Sequence, residues 1–441
     1  MNSSALSKIS STFESLTIRN FRLFTIGQVV SAAGTWMMVV AQDWLVLSMT
    51  ADSAAALSTV TALQFAPLLL TLYGGLLADR YDKRRLLLLV NLAAAVLALL
   101  AAVLVLTGAV ALWHIYLVAL ALGCVNAVEI PTRMSFVSEM VGPELLPNAS
   151  ALSGAYFNLA RIVGPAGAGL LISLFGIGPV MLLNAVTFLG TIVALGKMRP
   201  GELRRPPPAP AGGAPRPARA SGIRDGVRHA VGRGDLLPVF VLVAALSVFG
   251  FNFHLTLPLI AKTVFHTDAA TFGLFASAMA VGSLAAAFAT AGRRTRPSER
   301  TVIAAALVFG VVETAVGLAP NVAWSMALLA LTGFTTLYFA QAANHRIQLG
   351  TDPYFRGRVM ALYTLILQGS TPLGAVLVGA LTARLGPRSG LWAGGLASFA
   401  AALVTLLWVR IRLTPPRPDR QETRKTIPEC VPPATEGGRG H

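Results

Sequence analysis

Cysteine is nearly missing: the 441 residues hold two, Cys124 inside an apolar run and Cys430 in a polar stretch. That pair cannot build a disulfide framework, and there is no CxxC metal site, so redox chemistry and a bound metal are not expected. Charge is scarce as well, at 12% of residues against 55% hydrophobic, and a chain with positive mean hydropathy and this length must sit largely in lipid. The signatures of catalysis are also absent, with no HExxH, no nucleophile elbow and no P-loop. These absences argue against an enzyme and exclude ATP-driven pumping by this chain alone, and no cofactor is expected. A cleavable signal is not expected either, because Met1 to Asn20 is polar and the apolar run after Arg22 is longer than a signal-peptide core.

What the chain does have is long apolar runs. The hydrocarbon core is about 30 Å thick, so a helical span needs roughly 20 apolar residues. Twelve such stretches fall near Leu23–Leu47, Ala55–Leu77, Leu86–Leu106, Trp113–Val137, Asn148–Phe175, Pro179–Gly196, Leu236–Ala261, Ala269–Ala291, Val302–Leu318, Val322–Ala343, Val359–Leu381 and Leu391–Val409. Helices are expected, because an isolated strand leaves its backbone unpaired in lipid and the alternating pattern of barrel strands is absent. The fold class read from this is an all-α integral membrane protein with twelve transmembrane helices in two six-helix halves.

The net charge of +16 would point to nucleic acid if it were gathered on one surface. It is instead spread over one side of the expected topology. Of the 35 Lys and Arg, only Lys262, Arg384 and Arg388 fall in loops on the other side, and Arg161 falls inside a helix. This asymmetry places both termini in the cytoplasm of a multi-pass bacterial plasma-membrane protein and removes nucleic acid as a partner. The organisation that follows is a cytoplasmic segment at 1–20, a six-helix half at 21–196, a Pro- and Arg-rich cytoplasmic linker at 197–235, a second half at 236–412 and a disordered tail at 413–441.

The halves repeat. ALSGAYFNLARIVGPAGAGLLISLFG from Ala151 aligns without a gap on ALYTLILQGSTPLGAVLVGALTARLG from Ala361, which sets Gly164, Gly169 and Gly176 over Gly374, Gly379 and Gly386. A basic loop follows the second helix of each half, Asp79 to Arg85 and Arg293 to Arg300, and an arginine closes the fourth, Arg133 and Arg346. Such repeats suit a transporter with its site at the midplane and a linker that allows rocking.

The segment GGLLADRYDKRR, Gly74 to Arg85, resembles the loop motif of the major facilitator superfamily through Gly75, Asp79, Arg80, Lys83 and Arg84, with Asp82 where the family has a second glycine. The resemblance implies the major facilitator fold and a loop that braces the halves in the outward-facing state, with Asp79 meeting a helix N-terminus of the other half and Lys83 or Arg84 joining a charge network. RNFRLFTIGQVVSAAGTWM near Arg19, PTRMSFVSEMVGPELLPNASAL from Pro131 and NLARIVGPAGAGLLI from Asn158 look like the exporter group of enterobactin exporters and macrolide efflux proteins, which implies efflux driven by proton exchange. RIVGPAGAG, with Gly164, Pro165 and Gly169, looks like the antiporter motif of the fifth helix; plain close packing of small residues is the alternative reading.

Charges inside spans cost several kcal/mol and tend to face a cavity or a partner. Asp43, Glu129, Arg161 and Glu313 are the four candidates. Glu129 could carry the exchanged proton, or could be fixed in an ion pair with Arg161 or Arg133, and sequence leaves both open. Asp43 reads as a proton or cation site or as a simple outer cap, and Glu313 as a polar contact on a peripheral helix. Cargo-lining candidates are Gln28 and Ser31 on the first helix and Phe251, Asn252 and His254 on the seventh, with His254 also a candidate proton relay. The function expected is secondary active export of a small amphipathic molecule (a drug, a macrolide or a siderophore) by one chain acting alone, in exchange for protons. Uptake, lysophospholipid movement, a scramblase and a membrane-embedded enzyme are the alternatives.

Overall fold

The computed structural model describes residues 13–204, 228, 232–293, 295–352 and 355–413. The expectations for the first dozen residues, for the centre of the linker and for the tail after 413 lie outside the described residues. Among the described residues every regular element is a helix. The long ones are α1 (Arg19–Met49), α2 (Ala54–Phe65), α3 (Thr71–Arg80), α4 (Lys83–Leu106), α5 (Leu112–Phe175) and α6 (Ile177–Lys197). After the linker come α7 (Leu237–Ala245), α8 (Phe253–Leu259), α9 (Ala269–Ala291), α10 (Glu299–Gly317), α11 (Val322–Gly350), α12 (Arg356–Gly369), α13 (Thr371–Leu385) and α14 (Ser389–Leu413).

Ten helices, counting α7 with α8 and α12 with α13, are long and apolar enough to cross a membrane, or eleven if α2 and α3, bent by 51°, form one span. Residues with short polar side chains start many of them. Ser53, Asp82, Asp268, Ser298 and Asn321 each accept a hydrogen bond from a backbone N–H in the first turn that follows, which satisfies a donor the helix itself leaves free.

Three stretches of helix are not straight rods. The 64 residues of α5 would reach about 96 Å at 1.5 Å per residue, and the helix breaks at Gly142, where φ is +75° and Pro143 follows. Only glycine takes that backbone cheaply, and Arg204 lies against its bare face. Between α7 and α8 the chain widens into a π turn at Leu246–Gly250 and leaves helical geometry at Phe251 and Asn252. The α12–α13 span is interrupted at Ser370, just ahead of Pro372.

Lipid is as apolar as leucine, so helices here are joined by close packing and not by the hydrophobic effect. Backbones meet where side chains are missing. Gly123 lies on the Gln64 carbonyl of α2, Gly282 of α9 on the Ala330 carbonyl of α11, and Gly333 of α11 on the Met279 carbonyl of α9. Glycines paired by the repeat make corresponding approaches. Gly164 packs on Ala33 and Trp36 of α1 while Gly374 packs on Val248 and Asn252 at the α7–α8 break; Gly169 packs on Ala269 and Ala270 of α9 while Gly379 packs on Ser58 of α2. Gly176 and Gly386 end their helices with φ of +85° and +91°.

At one end of the bundle, called here the Asp79 end, charged knots tie helix ends together. Lys83 at the start of α4 donates to Glu139 Oε1 at 2.6 Å, and Arg84 donates to the Leu195 and Gly196 carbonyls of α6 at 2.7 and 3.0 Å. Ahead of α7, Asp235 pairs with Arg233 at 3.1 Å and with Arg296 at 2.7 Å, while Arg346 of α11 donates to the Pro297 carbonyl at 3.0 Å. Burial pushes the Asp235 carboxyl up, but hydrogen bonds from Arg233 and Arg296, together with their charges, outweigh it and hold it down at about 2.

A depressed carboxylate stabilises the fold above its unfolded value and loses that contribution as pH falls through the folded value. The Tm difference between the native chain and Asp235→Asn is therefore expected to be steady from neutral pH to about 4, the unfolded aspartate value, and to vanish toward pH 2. Because Asp235 is about one-third exposed, its size should not exceed about 1 kcal/mol. A difference that grows as the solution is acidified would contradict this assignment.

Candidate functional site

Within the N-terminal helices lies a cavity of about 240 Å³. Six amide side chains reach its wall: Gln28 and Gln42 from α1, Gln64 from α2, Asn91 from α4, Asn126 from α5 and Asn184 from α6. The one ion pair on the wall is Glu129 with Arg133, one helical turn apart on α5, joined at 2.9 Å. Arg133 also lies over the Phe157 ring, 4.1 Å from its centroid. Trp36, Phe157 and Phe188 supply apolar faces. Neutral hydrogen-bonding groups with rings and one charge pair suit a molecule that is partly apolar and partly polar.

Trp36 carries the cavity to the contact between the N-terminal and C-terminal helices. The Arg161 guanidinium lies 5.5 Å from the Trp36 ring centroid. The His254 ring of α8 is stacked nearly parallel to that ring at 6.2 Å, and Phe65 of α2 closes on His254 at 5.5 Å. Arg161 makes no hydrogen bond or ion pair among the described residues; its guanidinium rests against the Trp36 ring beside the cavity. Of the two pairings open in the sequence, the structure has Glu129 on Arg133.

The other candidate residues fall in different places. Gln28 and Ser31 line the cavity. Phe251 packs on Phe309 and Phe339, with centroids at 5.4 and 6.4 Å, and Asn252 donates to the Val248 carbonyl while its Oδ1 faces Gly374, so both belong to helix contacts beside the α7–α8 break. Asp43 is 2% exposed, and its Oδ2 has no hydrogen-bond partner; neither has Nε2 of the adjacent Gln42. Asp79 and Arg80 are exposed and bond to nothing among the described residues, whereas Lys83 and Arg84 are tied within the N-terminal helices. Of the two motif glycines it is Gly74, not Gly75, that lies against the Ala127 backbone; a Cβ on Gly75 would meet nothing within 4 Å. The cavity residues missed at the sequence level, Gln64, Asn91, Asn126 and Asn184, had one usable signal: an amide inside an apolar span.

Contacts between N-terminal and C-terminal helices run from the ring stack toward the opposite end, named for Asp52. Ser277 of α9 donates to the Ile162 carbonyl at 2.6 Å, and Ser173 to Asp268 Oδ2 at 3.2 Å. Trp44 is stacked on Phe272 at 6.4 Å, and Lys262 pairs with Asp52 at 2.8 Å. Gly169 against Ala269 and Gly379 against Ser58 close the same region.

A family model described as a transmembrane secretion effector matches residues 10–431. The multidrug efflux pump Tap of Mycolicibacterium fortuitum is 26% identical, with 88% of this chain and 96% of that one covered. The staphyloferrin A transporter of Staphylococcus aureus is 23% identical (78% and 85% covered), and the enterobactin exporter EntS of Escherichia coli is 24% identical (90% and 94%). Among solved structures, a bacterial homolog of the human lysosomal transporter Spinster, in an inward-facing and occupied conformation, matches with a TM-score of 0.67 at 13% identity, covering 89% of this chain and 97% of that one. The nucleoside transporter NupG matches with a TM-score of 0.63 at 12% identity, covering 89% and 98%. Likeness at that identity is a likeness of fold alone.

The two motif glycines should separate cleanly on substitution. Gly74→Ala forces a methyl into the Ala127 backbone and is expected to cost about 1–3 kcal/mol, read as a lower Tm in detergent. Gly75→Ala should stay within about 0.5 kcal/mol of the native chain. Equal losses at both positions would contradict this placement of the α3 face.

Proposed function

The chain belongs to the transmembrane secretion effector family, transporters of the major facilitator type and not enzymes, and from that premise we propose that it exports a small amphipathic molecule by alternating access in exchange for protons. The relatives are named as a multidrug efflux pump, a siderophore transporter and a siderophore exporter, which supports export of a drug-like or siderophore-like cargo. Twelve spans follow when the bent α2–α3 pair is one and α5 is divided at Gly142. The corresponding approaches made by Gly164 and Gly374, and by Gly169 and Gly379, support two six-helix halves, 21–196 and 236–412, related by a repeat. The bias of Lys and Arg toward the Asp79 end supports a cytoplasmic setting, in a bacterial cell, for that end and both termini. One chain holds the whole cavity, so a monomer suffices.

One observation carries the mechanism. The contacts between halves gather from the midplane to the Asp52 end, while Asp79 and Arg80 at the opposite end bond to nothing among the described residues. This is the arrangement of a pump closed on its outer side, in which the loop motif waits for the outward-facing state to engage the other half. Cargo enters the amide-lined cavity, meets the Glu129–Arg133 pair and the Arg161–Trp36–His254 stack, and leaves when the outer contacts part. Asp43 is the carboxylate assigned to the exchanged proton, because it is buried beside the cavity residue Gln42 without a cation to hold it ionised.

Inside-out vesicles loaded with a pH dye test this reading with ethidium, a macrolide and a catecholate siderophore as cargos. Cargo-dependent proton movement is expected in the native chain, lost in Asp43→Asn, and kept with a raised KM in Glu129→Gln. Cargo flux with no proton movement would make the chain a uniporter. Movement of a lysophospholipid in place of all three cargos would make it a lipid translocator.

A further inference from the structure

Between its two ends α10 carries one charged side chain, Glu313, which is 1% exposed. Its Oε2 has no hydrogen-bond partner. A carboxylate in that position, in a helix that crosses lipid, costs several kcal/mol unless a cation pairs with it or a proton neutralises it. No cation pairs with it among the described residues: Arg388, which reaches the end of α10 one turn beyond Glu313, is taken up by the Gly317 and Ala319 carbonyls at 3.2 and 2.8 Å and lies over the Phe265 ring. The segment from Leu237 to Phe253 has no charged residue, and neither does α14 from Ser389 to Val409. On α11, Tyr338 is engaged by Arg293 at 2.6 Å, and Arg346 is held at the Asp79 end by the Pro297 carbonyl. His345 sits beside Arg346 at that same end, and His254 is occupied in the stack with Trp36.

Glu313 faces the break in the α7–α8 span. Gly394 of α14 lies close against both groups: a Cβ there would come within 2.5 Å of the Phe249 carbonyl oxygen and 3.3 Å of Glu313 Oε1. Phe249 lies in the π turn. The backbone bonds around the break run from Phe251 N–H to Leu246 and from Leu255 and Thr256 N–H to Asn252, and they leave the Phe249 carbonyl out. Nearby, Gly250 meets Ser398 Oγ at 2.9 Å from its Cβ position, and the hydroxyls of Ser398 and Ser247 are also buried without a partner. A broken helix, a bare carbonyl and a lone carboxyl group thus meet at Gly394 inside the C-terminal helices, far in sequence from Asp43 and outside the cavity.

We propose that Glu313 and the α7–α8 break form a second proton-binding site, in which the acid form of Glu313 donates its hydrogen bond to the Phe249 carbonyl. Taking up a proton closes the break with that bond; releasing the proton leaves a carboxylate that repels the carbonyl, and the break loosens. The span that moves is the one whose His254 touches Trp36 and Phe65 across the halves, so the proton at Glu313 sets how firmly the C-terminal half holds the stack. The site stands whether or not cargo export uses Asp43.

Infrared difference spectra between acid and alkaline pH, taken on the full chain in lipid nanodiscs, read the proton directly and need no cargo. In an Asp43→Asn background, which removes the other buried unpaired carboxyl group, a protonated-carboxyl band that disappears on alkalinisation is expected, and it should be absent once Glu313→Gln is added. Hydrogen exchange over Phe249–Phe253, corrected for its intrinsic pH dependence, should rise as the band disappears in the native chain and stay flat in Glu313→Gln. Gly394→Ala forces a methyl against the Phe249 carbonyl without removing the acid; it should keep the band and lose the exchange step. Survival of the band in the double variant Asp43→Asn/Glu313→Gln would overturn the proposal, and so would an exchange step that Glu313→Gln leaves unchanged.

Discussion

Close approach of helix backbones at missing side chains is the constraint on which the rest of the structure depends. In lipid there is no water to drive apolar surfaces together, so a helix is held by what it can touch. Gly169 on Ala269 and Gly379 on Ser58 bring backbones from opposite ends of the chain within van der Waals reach. These approaches put Ser173 beside Asp268 and seat Trp44 on Phe272. They also place His254 where Trp36 can stack on it. A side chain at either glycine would separate the helices there and dissolve the polar contacts that depend on the spacing.

Polar groups inside such a bundle are each settled in one of three ways. Glu129 is neutralised by Arg133, Arg161 lies against an aromatic face, and the amides of the cavity line a space that cargo or water can fill. Asp43 and Glu313 are settled by none of these, one in the N-terminal and one in the C-terminal helices. Their isolation is a property of helices that carry no other charge at that level, and it is the ground on which the two carboxyl groups are proposed as proton sites.

The spans were legible because a run of about 20 apolar residues has few other uses, and the glycines matched by the repeat make matched contacts. Breaks were less legible. Pro143 and Pro372 gave warning at two of them, but the π turn at Leu246–Gly250 has no comparable mark in LSVFG. Sequence could not say which of Gly74 and Gly75 faces a neighbour, since that depends on helix rotation. It could not choose between Arg133 and Arg161 for Glu129, because both lie within reach on one long broken helix. The Trp36–His254 stack joins residues 218 positions apart that no local pattern connects.

Alternating access through a closed Asp52 end is the central claim, and paired spin-label distances test it most directly. In a chain freed of Cys124 and Cys430, labels at Tyr81 and Arg300 report on the Asp79 end, and labels at Ala51 and His266 on the other. Across pH and with ethidium present, the first distance should shorten as the second lengthens. Two distances that stay fixed, or that change together, would contradict it.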